Sequence, residues 1–438
     1  MARRALKAMK TNTSTQPSNA ATMRPIHWER LDYTRVPFWL YHDPDVYRVE
    51  QERIFKGPTW SYVALEAEIP NAGDFLTTYI GDTPVIVSRG HKGTLHAMVN
   101  RCAHRGAIVR RECRGNAKDH VCIYHRWSYD LDGSLTGLPF RRGLKGKGGM
   151  SADFKLEDHG LRKLRVASYA GVVFATFSES AEALPDYLGG VITKHFDRVF
   201  CKPIRILGYQ RQRIRGNWKF YLENQRDTYH GSLLHEFQST FGTSRVTQTG
   251  GVTMDDRHRH NLTWSKYGTD DDSEFSAIYK DNNIHESKLK LNDPALVEFK
   301  REFSDGISLG ICGIFPNATV HQIMNSLAAR HLRTFSQDEF ELTVTLFGYQ
   351  DDSEEMTRHR LLQANMVGPA GLISMEDGEA IEITHRATAG DADGCSVIEM
   401  GGGGPITNLD HRVNDVPCRG FWSYYAEVMG IEPKGAVR

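Results

Sequence analysis

This 438-residue chain lacks an excess of either charge, a long apolar run and a regular set of cysteines, and each absence excludes a class of function. Neither sign of charge is in excess, because 54 Lys and Arg residues balance 54 Asp and Glu residues; no overall field favours nucleic acid or an anionic membrane. No apolar run approaches the roughly 18 residues that a membrane-spanning helix needs. The seven cysteines are an odd, scattered set, which is a poor disulfide framework and is typical of a reducing compartment. We therefore expect a cytoplasmic protein that binds neither nucleic acid nor membrane.

The local patterns predict two domains behind a short lead-in segment. Residues 1–23 are basic without an apolar core, and we expect a disordered N-terminal extension there rather than an organellar transit peptide. Residues 24–59 are expected to form a lead-in segment that packs on the larger domain. From residue 60 to 178, short β-rich runs separated by Gly, Asp and Pro predict a small antiparallel β domain. From residue 179 to 438 we expect an antiparallel sheet covered by helices, so the predicted fold class is α+β.

The first chemical signal is the stretch CAHRGAIVRRECRGNAKDHVCIYH, which carries a Cys–His pair at each end. The spacing is Cys102-x-His104, then 17 residues, then Cys122-x2-His125. Two close pairs of soft or borderline ligands predict one metal centre held between two loops. A zinc ion would accept these ligands in any order, whereas a two-iron cluster can take two thiolates on one iron and two imidazoles on the other. Cys113 lies outside both pairs and is assigned no role.

A second group of metal-ligating residues follows in the larger domain. The stretch NWKFYLENQRDTYHGSLLH places His230 and His235 five residues apart, with Asp227 three residues before the first of them. The stretch GPAGLISMEDGEAIE then supplies four carboxylates, those of Glu376, Asp377, Glu379 and Glu382. Two imidazoles and one carboxylate are the ligand set that holds iron(II) with open coordination positions.

Together, these two signals resemble the α subunit of Rieske non-haem iron ring-hydroxylating oxygenases over about residues 30–430. The resemblance rests on C-x-H-x17-C-x2-H within a β domain, on D-x2-H-x4-H and on the later E-D-G-E segment. It implies a Rieske [2Fe–2S] cluster, a dioxygenase activity and a separate iron(II) site. The cluster ligands would be Cys102 and Cys122 on one iron, and His104 and His125 on the other.

The same resemblance assigns the iron(II) ligands and the partners. Iron(II) would be held by His230, His235 and Asp377, and the catalytic set also includes Asp227. This carboxylate is expected to bridge His104 of a neighbouring subunit to His230, which implies a cyclic trimer. We also expect a small β subunit in an α3β3 assembly, and electrons that come from NAD(P)H through a reductase, with or without a ferredoxin.

The resemblance also indicates a class of substrate. The stretches TRVPF, NRCAHRG, HGLRKLRV and QANMVGPAGLISMEDGE are similar to the branch that oxidises terephthalate, anthranilate, salicylate and ortho-halobenzoate. A buried substrate carboxylate needs a charge-assisted donor, and Arg can bind it through two parallel hydrogen bonds. The resemblance places such residues at Arg330 and Arg419, and Asn224 is a further candidate substrate contact.

The sequence therefore predicts a terminal oxygenase that hydroxylates an aromatic acid of the benzoate class. We expect cis-dihydroxylation, and ring monooxygenation, as in a salicylate hydroxylase, is the alternative. An electron carrier or a structural zinc protein is the hypothesis from another class of function, and it would need no second iron site.

Overall fold

The computed structural model describes residues 32–270, 272–279 and 289–431. The extension predicted over residues 1–23 lies outside this part of the chain. The described residues have the predicted α+β class, with two seven-stranded antiparallel sheets and helices around the second of them. No helix in the described ranges is both long enough and apolar enough to cross a membrane.

The lead-in segment is short and mostly helical. Asp43 starts its main helix, because its side chain accepts a hydrogen bond from the Asp45 backbone and Pro44 fits the first helical position. The elements are β1 Arg35–Pro37, α1 Trp39–His42, α2 Pro44–Glu50 and a π-helical turn at Gln51–Phe55.

A buried charge at the end of α2 ties this segment to the larger domain. Glu50 is fully buried, and its carboxylate accepts from Lys219 Nζ at 2.6 Å, from Trp218 Nε1 at 2.8 Å and from Tyr425 Oη at 2.6 Å. A buried carboxylate left without such partners would be strongly destabilising, so this network fixes where the lead-in segment docks.

The β domain is one seven-stranded sheet with a three-stranded sheet beside it. The large sheet has the order β2-β11-β10-β5-β4-β3-β6 and the small one β7-β8-β9. As the Asp-Gly pair predicts, a turn with Gly133 at φ 84° joins β8 to β9. The strands are β2 Ser61–Leu65, β3 Asp74–Ile80, β4 Thr83–Arg89, β5 Leu95–Val99, β6 Arg114–Asn116, β7 His120–Val121, β8 Ser128–Tyr129, β9 Leu135–Gly137, β10 Lys163–Tyr169 and β11 Val172–Thr176.

The larger domain is built on the second antiparallel sheet, with the order β12-β18-β17-β16-β15-β14-β13. Its central strands pair in a register that sets Arg330 opposite Val344. The strands are β12 Ile204–Ile214, β13 Gly250–Met254, β14 His260–Lys266, β15 Ile307–Ile314, β16 Ala318–Ile323, β17 Ser326–Ser336 and β18 Glu339–Tyr349. A further strand, β19 Cys395–Val397, pairs with β1.

Helices surround this sheet and carry much of the chemistry. They are α3 Leu184–Val199, α4 Trp218–Asn224, α5 Glu236–Thr240, α6 Asp272–Tyr279, α7 Glu354–Val367, α8 Leu372–Thr388 and α9 Val416–Met429. Single 3-10 turns occur at Glu66–Glu68, Leu156–His159, His230–Ser232 and Pro294–Leu296.

The helix α4 packs against both α8 and α9. It begins at Asn217, whose side chain accepts from the Lys219 backbone at 3.0 Å, and it buries Trp218, Tyr221 and Leu222 as its spacing predicts. Burying a side chain of this size contributes about 1.5–3 kcal/mol. This apolar face holds the end of α4 against α8, so residues some 150 positions apart, Asn224 and Asp377, come within hydrogen-bond distance.

Candidate metal centres

Two short loops in the β domain carry the four predicted cluster ligands, and the loops have the same shape. In each loop, the residue four positions after the cysteine donates its backbone N–H to the cysteine carbonyl at 2.9 Å. That residue is Gly106 after Cys102 and Arg126 after Cys122, and both have positive φ, 73° and 59°. A positive φ is favourable for glycine and unfavourable for arginine. The second loop therefore forms the same turn with a strained backbone at Arg126.

The ligand atoms in these loops are sorted by depth. Cys102 and Cys122 are buried in the core of the β domain, whereas His104 and His125 are half-buried. The Nδ1 atoms of the two imidazoles lie side by side, 3.1 Å apart. Two inner thiols and two outer imidazoles fit a two-iron cluster in which one iron takes both sulfurs and the other takes both rings.

Aromatic side chains surround the four ligands. Trp127 lies parallel to the His104 ring, with 4.9 Å between centroids and 2° between planes. Tyr129 Oη is 3.1 Å from Cys102 Sγ and accepts the Ala103 backbone N–H. Hydrogen bonds to the sulfurs help set the potential of such a cluster. This contact of Tyr129 was not predicted from the sequence, because no local pattern connects Tyr129 with a cysteine 27 residues earlier.

The second predicted ligand set comes together in the larger domain. His230 starts the 3-10 turn after α4, His235 precedes α5, and Asp377 lies inside α8. Asp377 Oδ1 is 3.4 Å from His230 Nε2 and 3.2 Å from His235 Nε2, and the three ligand atoms lie within 4.8 Å of one another. Metal–ligand bonds of about 2.0–2.2 Å separate neighbouring ligand atoms by about 3.0–3.5 Å, so one ion fits between these three.

Other polar groups orient the three side chains. His230 Nδ1 lies 2.8 Å from the Asp227 carbonyl oxygen, and His235 Nδ1 lies 2.7 Å from Glu376 Oε2. With each Nδ1 engaged, both Nε2 atoms are left to face Asp377. The Asn224 amide also donates to Asp377 Oδ1 at 3.0 Å, so this predicted substrate contact touches a candidate ligand.

The charges at this site favour a cation. Burial alone would lower the pKa of His230, but the Asp227 and Asp377 carboxylates raise it to about 10. Burial alone would raise the pKa of Asp377, but His230 and His235 hold it well below its usual range. Both shifts reflect attraction between buried carboxylates and imidazoles. A bound metal ion would supply the positive charge and displace the proton.

Asp227 lies where the predicted bridge needs it on the iron side. Its Oδ1 accepts the backbone N–H groups of Tyr229 and His230 at 3.2 Å and lies 3.7 Å from His230 Nδ1. The side chain keeps 29% of its surface exposed. In the predicted bridge, Asp227 would contact His230 of its own chain, and His104 of another subunit would supply the other contact.

A cavity of about 670 Å³, counted to its open mouth, lies against this ligand set. Arg330, one of the predicted substrate contacts, lines it, and so does Arg412, which was not predicted from the sequence. The cavity is otherwise walled on one side by apolar side chains, including Leu309, Ile311, Ile323 and Ile373.

Arg419 is not among the residues that line this cavity, which corrects the prediction for it. The side chain is almost fully buried, and its Nη1 donates to the carbonyls of Gly404 at 2.7 Å and Asp32 at 3.4 Å. Its aromatic neighbours on α9, Phe421 and Trp422, are part of the hydrophobic core.

A cluster-binding β domain joined to a helix-and-sheet domain with a two-histidine, one-carboxylate site defines an iron-dependent oxygenase. Two family models match the chain: the Rieske [2Fe-2S] domain over residues 59–147 and the ring hydroxylating alpha subunit (catalytic domain) over residues 193–430. The chain belongs to the family of ring-hydroxylating oxygenase alpha subunits. Its cofactors are accordingly a Rieske [2Fe–2S] cluster and a mononuclear iron, and the predicted resemblance is confirmed.

Relatives of known function resemble the chain over almost its whole length. It is 49% identical to the anthranilate 1,2-dioxygenase large subunit of Burkholderia cepacia, over 92% of this chain and 96% of that protein. It is 45% identical to the terephthalate 1,2-dioxygenase terminal oxygenase component subunit alpha 2 of Comamonas sp, with 93% and 98% covered. The salicylate 5-hydroxylase large oxygenase component of Ralstonia sp is 44% identical, with 92% and 96% covered.

A solved structure shows the same fold. Naphthalene 1,2-dioxygenase from Rhodococcus sp. bound to indole superposes with a TM-score of 0.74, at 24% identity, over 90% of this chain and 94% of that one. The fold and the two-domain composition of the chain are thus those of a ring-hydroxylating terminal oxygenase.

Glu376 provides the first test of the iron site. Replacing Glu376 with Gln removes the carboxylate that orients His235, and we expect iron(II) affinity at the mononuclear site to fall about 10- to 100-fold. Iron bound beyond the two atoms per cluster, measured against acid-labile sulfide, reports this loss. The matched control is Glu379→Gln on the exposed side of α8, which should leave iron content unchanged. Equal iron retention in the two variants would contradict the role of Glu376.

Proposed function

We propose that this oxygenase subunit hydroxylates an aromatic acid of the benzoate class, whose carboxylate is bound by Arg330. The observation that carries the proposal is an arginine without a protein partner in the cavity beside the iron ligands. The Arg330 guanidinium makes no hydrogen bond or ion pair with any residue in the described ranges, and its Nε is buried. A buried cation in this state favours an anionic ligand.

The second arginine of the cavity supports a choice among such acids. Arg412 Nη1 donates to Ser244 Oγ at 3.0 Å, and its Nη2 donates to the Arg245 carbonyl. These bonds hold Arg412 in place, so it has fewer donors left than Arg330. We therefore propose an aromatic monocarboxylate on Arg330, with Arg412 beside it for a polar ring substituent, as in anthranilate or salicylate.

The metal ligands are proposed on the geometry described above. Cys102 and Cys122 bind the inner iron of the cluster, and His104 and His125 bind the outer one. His230, His235 and Asp377 hold the mononuclear iron. Iron in such a set of ligands supplies the chemistry that activates O2. The protein positions the ring of the substrate next to that iron by its carboxylate on Arg330 and by apolar contact with the cavity wall.

We further propose that electrons pass between subunits, from His104 of one chain through Asp227 to His230 of the next. Exposed apolar side chains support this docking. Ile108, Ile123 and Tyr124 project from or beside the cluster loops and are 39%, 52% and 58% exposed. An apolar patch around charged or polar groups marks a surface that is covered in an assembly.

A second apolar patch lies at the iron site. Leu233, between His230 and His235, is 40% exposed, and Val413 is 43% exposed. The Thr228 hydroxyl donates to the Asn414 carbonyl at 3.3 Å, so the segment that carries Val413 lies against the residue that follows Asp227. The two patches can therefore cover each other in a head-to-tail ring. A cyclic trimer with a small β subunit, supplied with electrons from NAD(P)H by a reductase and a ferredoxin where one is used, is the assembly we propose.

The reaction is proposed to be cis-dihydroxylation. Both outcomes occur by name among the similar proteins, since two are dioxygenases and one is a 5-hydroxylase. Product analysis with labelled O2 separates them, because two labelled oxygen atoms in the product indicate dioxygenation and one indicates monooxygenation.

Arg330→Gln tests the substrate class. Removing one partner of a buried charge pair costs about 2–5 kcal/mol, so kcat/KM for benzoate-type acids should fall about 30-fold or more. The control is Arg333→Gln on the same strand, because Arg333 stacks on Tyr79 away from the cavity and should change kcat/KM by less than about twofold.

The measurement must follow product rather than NADH, since reductant can be consumed without hydroxylation. A neutral benzamide should lose much less than the acid when Arg330 is replaced. Unchanged kcat/KM for every aromatic acid of the panel, with normal iron content, would contradict the proposed role of Arg330.

Mixed assemblies test transfer between subunits. Asp227→Ala chains keep a cluster but lose the bridge, and Cys122→Ser chains lose the cluster but keep the bridge and iron site. Each alone should be nearly inactive. The two variants are co-expressed with different tags, and mixed trimers are purified through both tags. In every mixed trimer, one of the three subunit contacts joins an intact cluster to a chain with Asp227 and an iron site. About one third of wild-type activity should therefore return.

The control mixture pairs Asp227→Ala with His235→Ala, in which no chain combines a bridge with an iron site. It should remain inactive. If the first mixture is also inactive although both metal contents are as designed, electrons do not cross between subunits through Asp227.

A further inference from the structure

A second group of two histidines and one carboxylate lies away from the iron site. Within the described residues, two groups of three metal-ligating side chains bring their ligand atoms within 4.8 Å of one another. One is the iron site, and the other consists of His42, Asp338 and His385. These come from three separate segments, the last residue of α1, the turn between β17 and β18, and the second half of α8.

One contact of this second group matches a contact of the first. His385 Nε2 lies 3.2 Å from Asp338 Oδ1, the same separation as His235 Nε2 and Asp377 Oδ1. Ligand atoms bound to one small cation are about 3.0–3.5 Å apart, so this pair already has the required spacing. The His42 ring lies across the His385 ring, with 4.5 Å between centroids.

The histidines are also in the state that a metal needs. Burial, and the neighbouring His385 ring, lower the pKa of His42 to about 4, so its ring is neutral at neutral pH. His385 has its Nε2 on the Asp338 side, so this is the nitrogen that would bind the ion while Nδ1 keeps the proton. The nearest buried cation, Lys219, is neutralised by Glu50 at 2.6 Å.

The geometry points to a second metal site, in which His42, His385 and Asp338 bind a divalent ion of the zinc class. Two imidazoles select transition ions such as Zn²⁺ over Mg²⁺ and Ca²⁺, which prefer oxygen ligands. The fourth position of a tetrahedral ion can go to water, because the Asp338 side chain is 53% exposed, or to Thr388 Oγ1, which is 2.9 Å from His42 Nε2.

Such an ion would tie the lead-in segment to the helix that carries Asp377. His385 follows Asp377 by eight residues on α8, about 12 Å along the helix axis. An ion shared with His42 and Asp338 would fix that helix end against α1 and the β17–β18 turn. The proposed ion therefore has a structural role and is not part of the oxygen chemistry.

Zinc binding can be measured without interference from the iron site. In the full-length assembly, His230→Ala with His235→Ala removes the other ligand set, and ZnCl2 is the probe in equilibrium dialysis with elemental analysis. We expect about one zinc ion per chain in this background. Adding His42→Ala and His385→Ala should remove that ion, and zinc should raise the thermal midpoint only where it binds.

Two further variants keep the test decisive if the histidine changes disturb folding. Asp338→Asn alters only an exposed carboxylate, and we expect zinc affinity to fall at least about tenfold. His91→Ala is the control, because His91 lies 3.6 Å from Asp130 in a surface pair that is not part of either three-ligand group, and zinc content should not change. No zinc bound in the background variant, or undiminished binding in the Asp338→Asn chain, would overturn the proposal.

Discussion

One carboxylate oxygen organises the larger domain of this oxygenase subunit. Asp377 Oδ1 lies 3.0–3.4 Å from three nitrogen atoms, which are His230 Nε2, His235 Nε2 and the Asn224 amide nitrogen. A carboxylate buried in the domain is stable only with such partners, and those partners are side chains that a metal ion would share. The packing of α4 against α8 brings them together, so the core and the proposed iron site depend on the same helix contact.

The two metal centres follow different designs. At the cluster, loops of matching shape hold buried thiols inside and half-buried imidazoles outside, which agrees with the proposed transfer of electrons through His104. At the iron site, Asp377 of α8 and two histidines from the segment between α4 and α5 supply the proposed ligands, and a central strand of the sheet supplies Arg330. The cavity between them places an unpaired cation and an apolar wall beside the ligands, which suits the charged and the flat parts of an aromatic acid.

Patterns within short stretches were enough to predict the α+β class and the residues that the structure gathers into two ligand groups. Contacts between distant segments were not predictable in this way. Tyr129 reaches Cys102, and Arg412 reaches the cavity, through folding that no local pattern encodes. The position of Arg419 was likewise not encoded locally, because its contacts are with the carbonyls of Gly404 and Asp32 from other segments.

The most direct test of the account is the iron content of Asp377 variants. Wild-type chains should hold about three iron atoms, two with acid-labile sulfide and one without, since the fold carries one cluster and one mononuclear site. Asp377→Ala and Asp377→Asn should lose the single iron, keep both sulfide-associated atoms and lose hydroxylation. If either variant retained three irons per chain with full activity, Asp377 would not be an iron ligand and the convergence at its oxygen would be structural only.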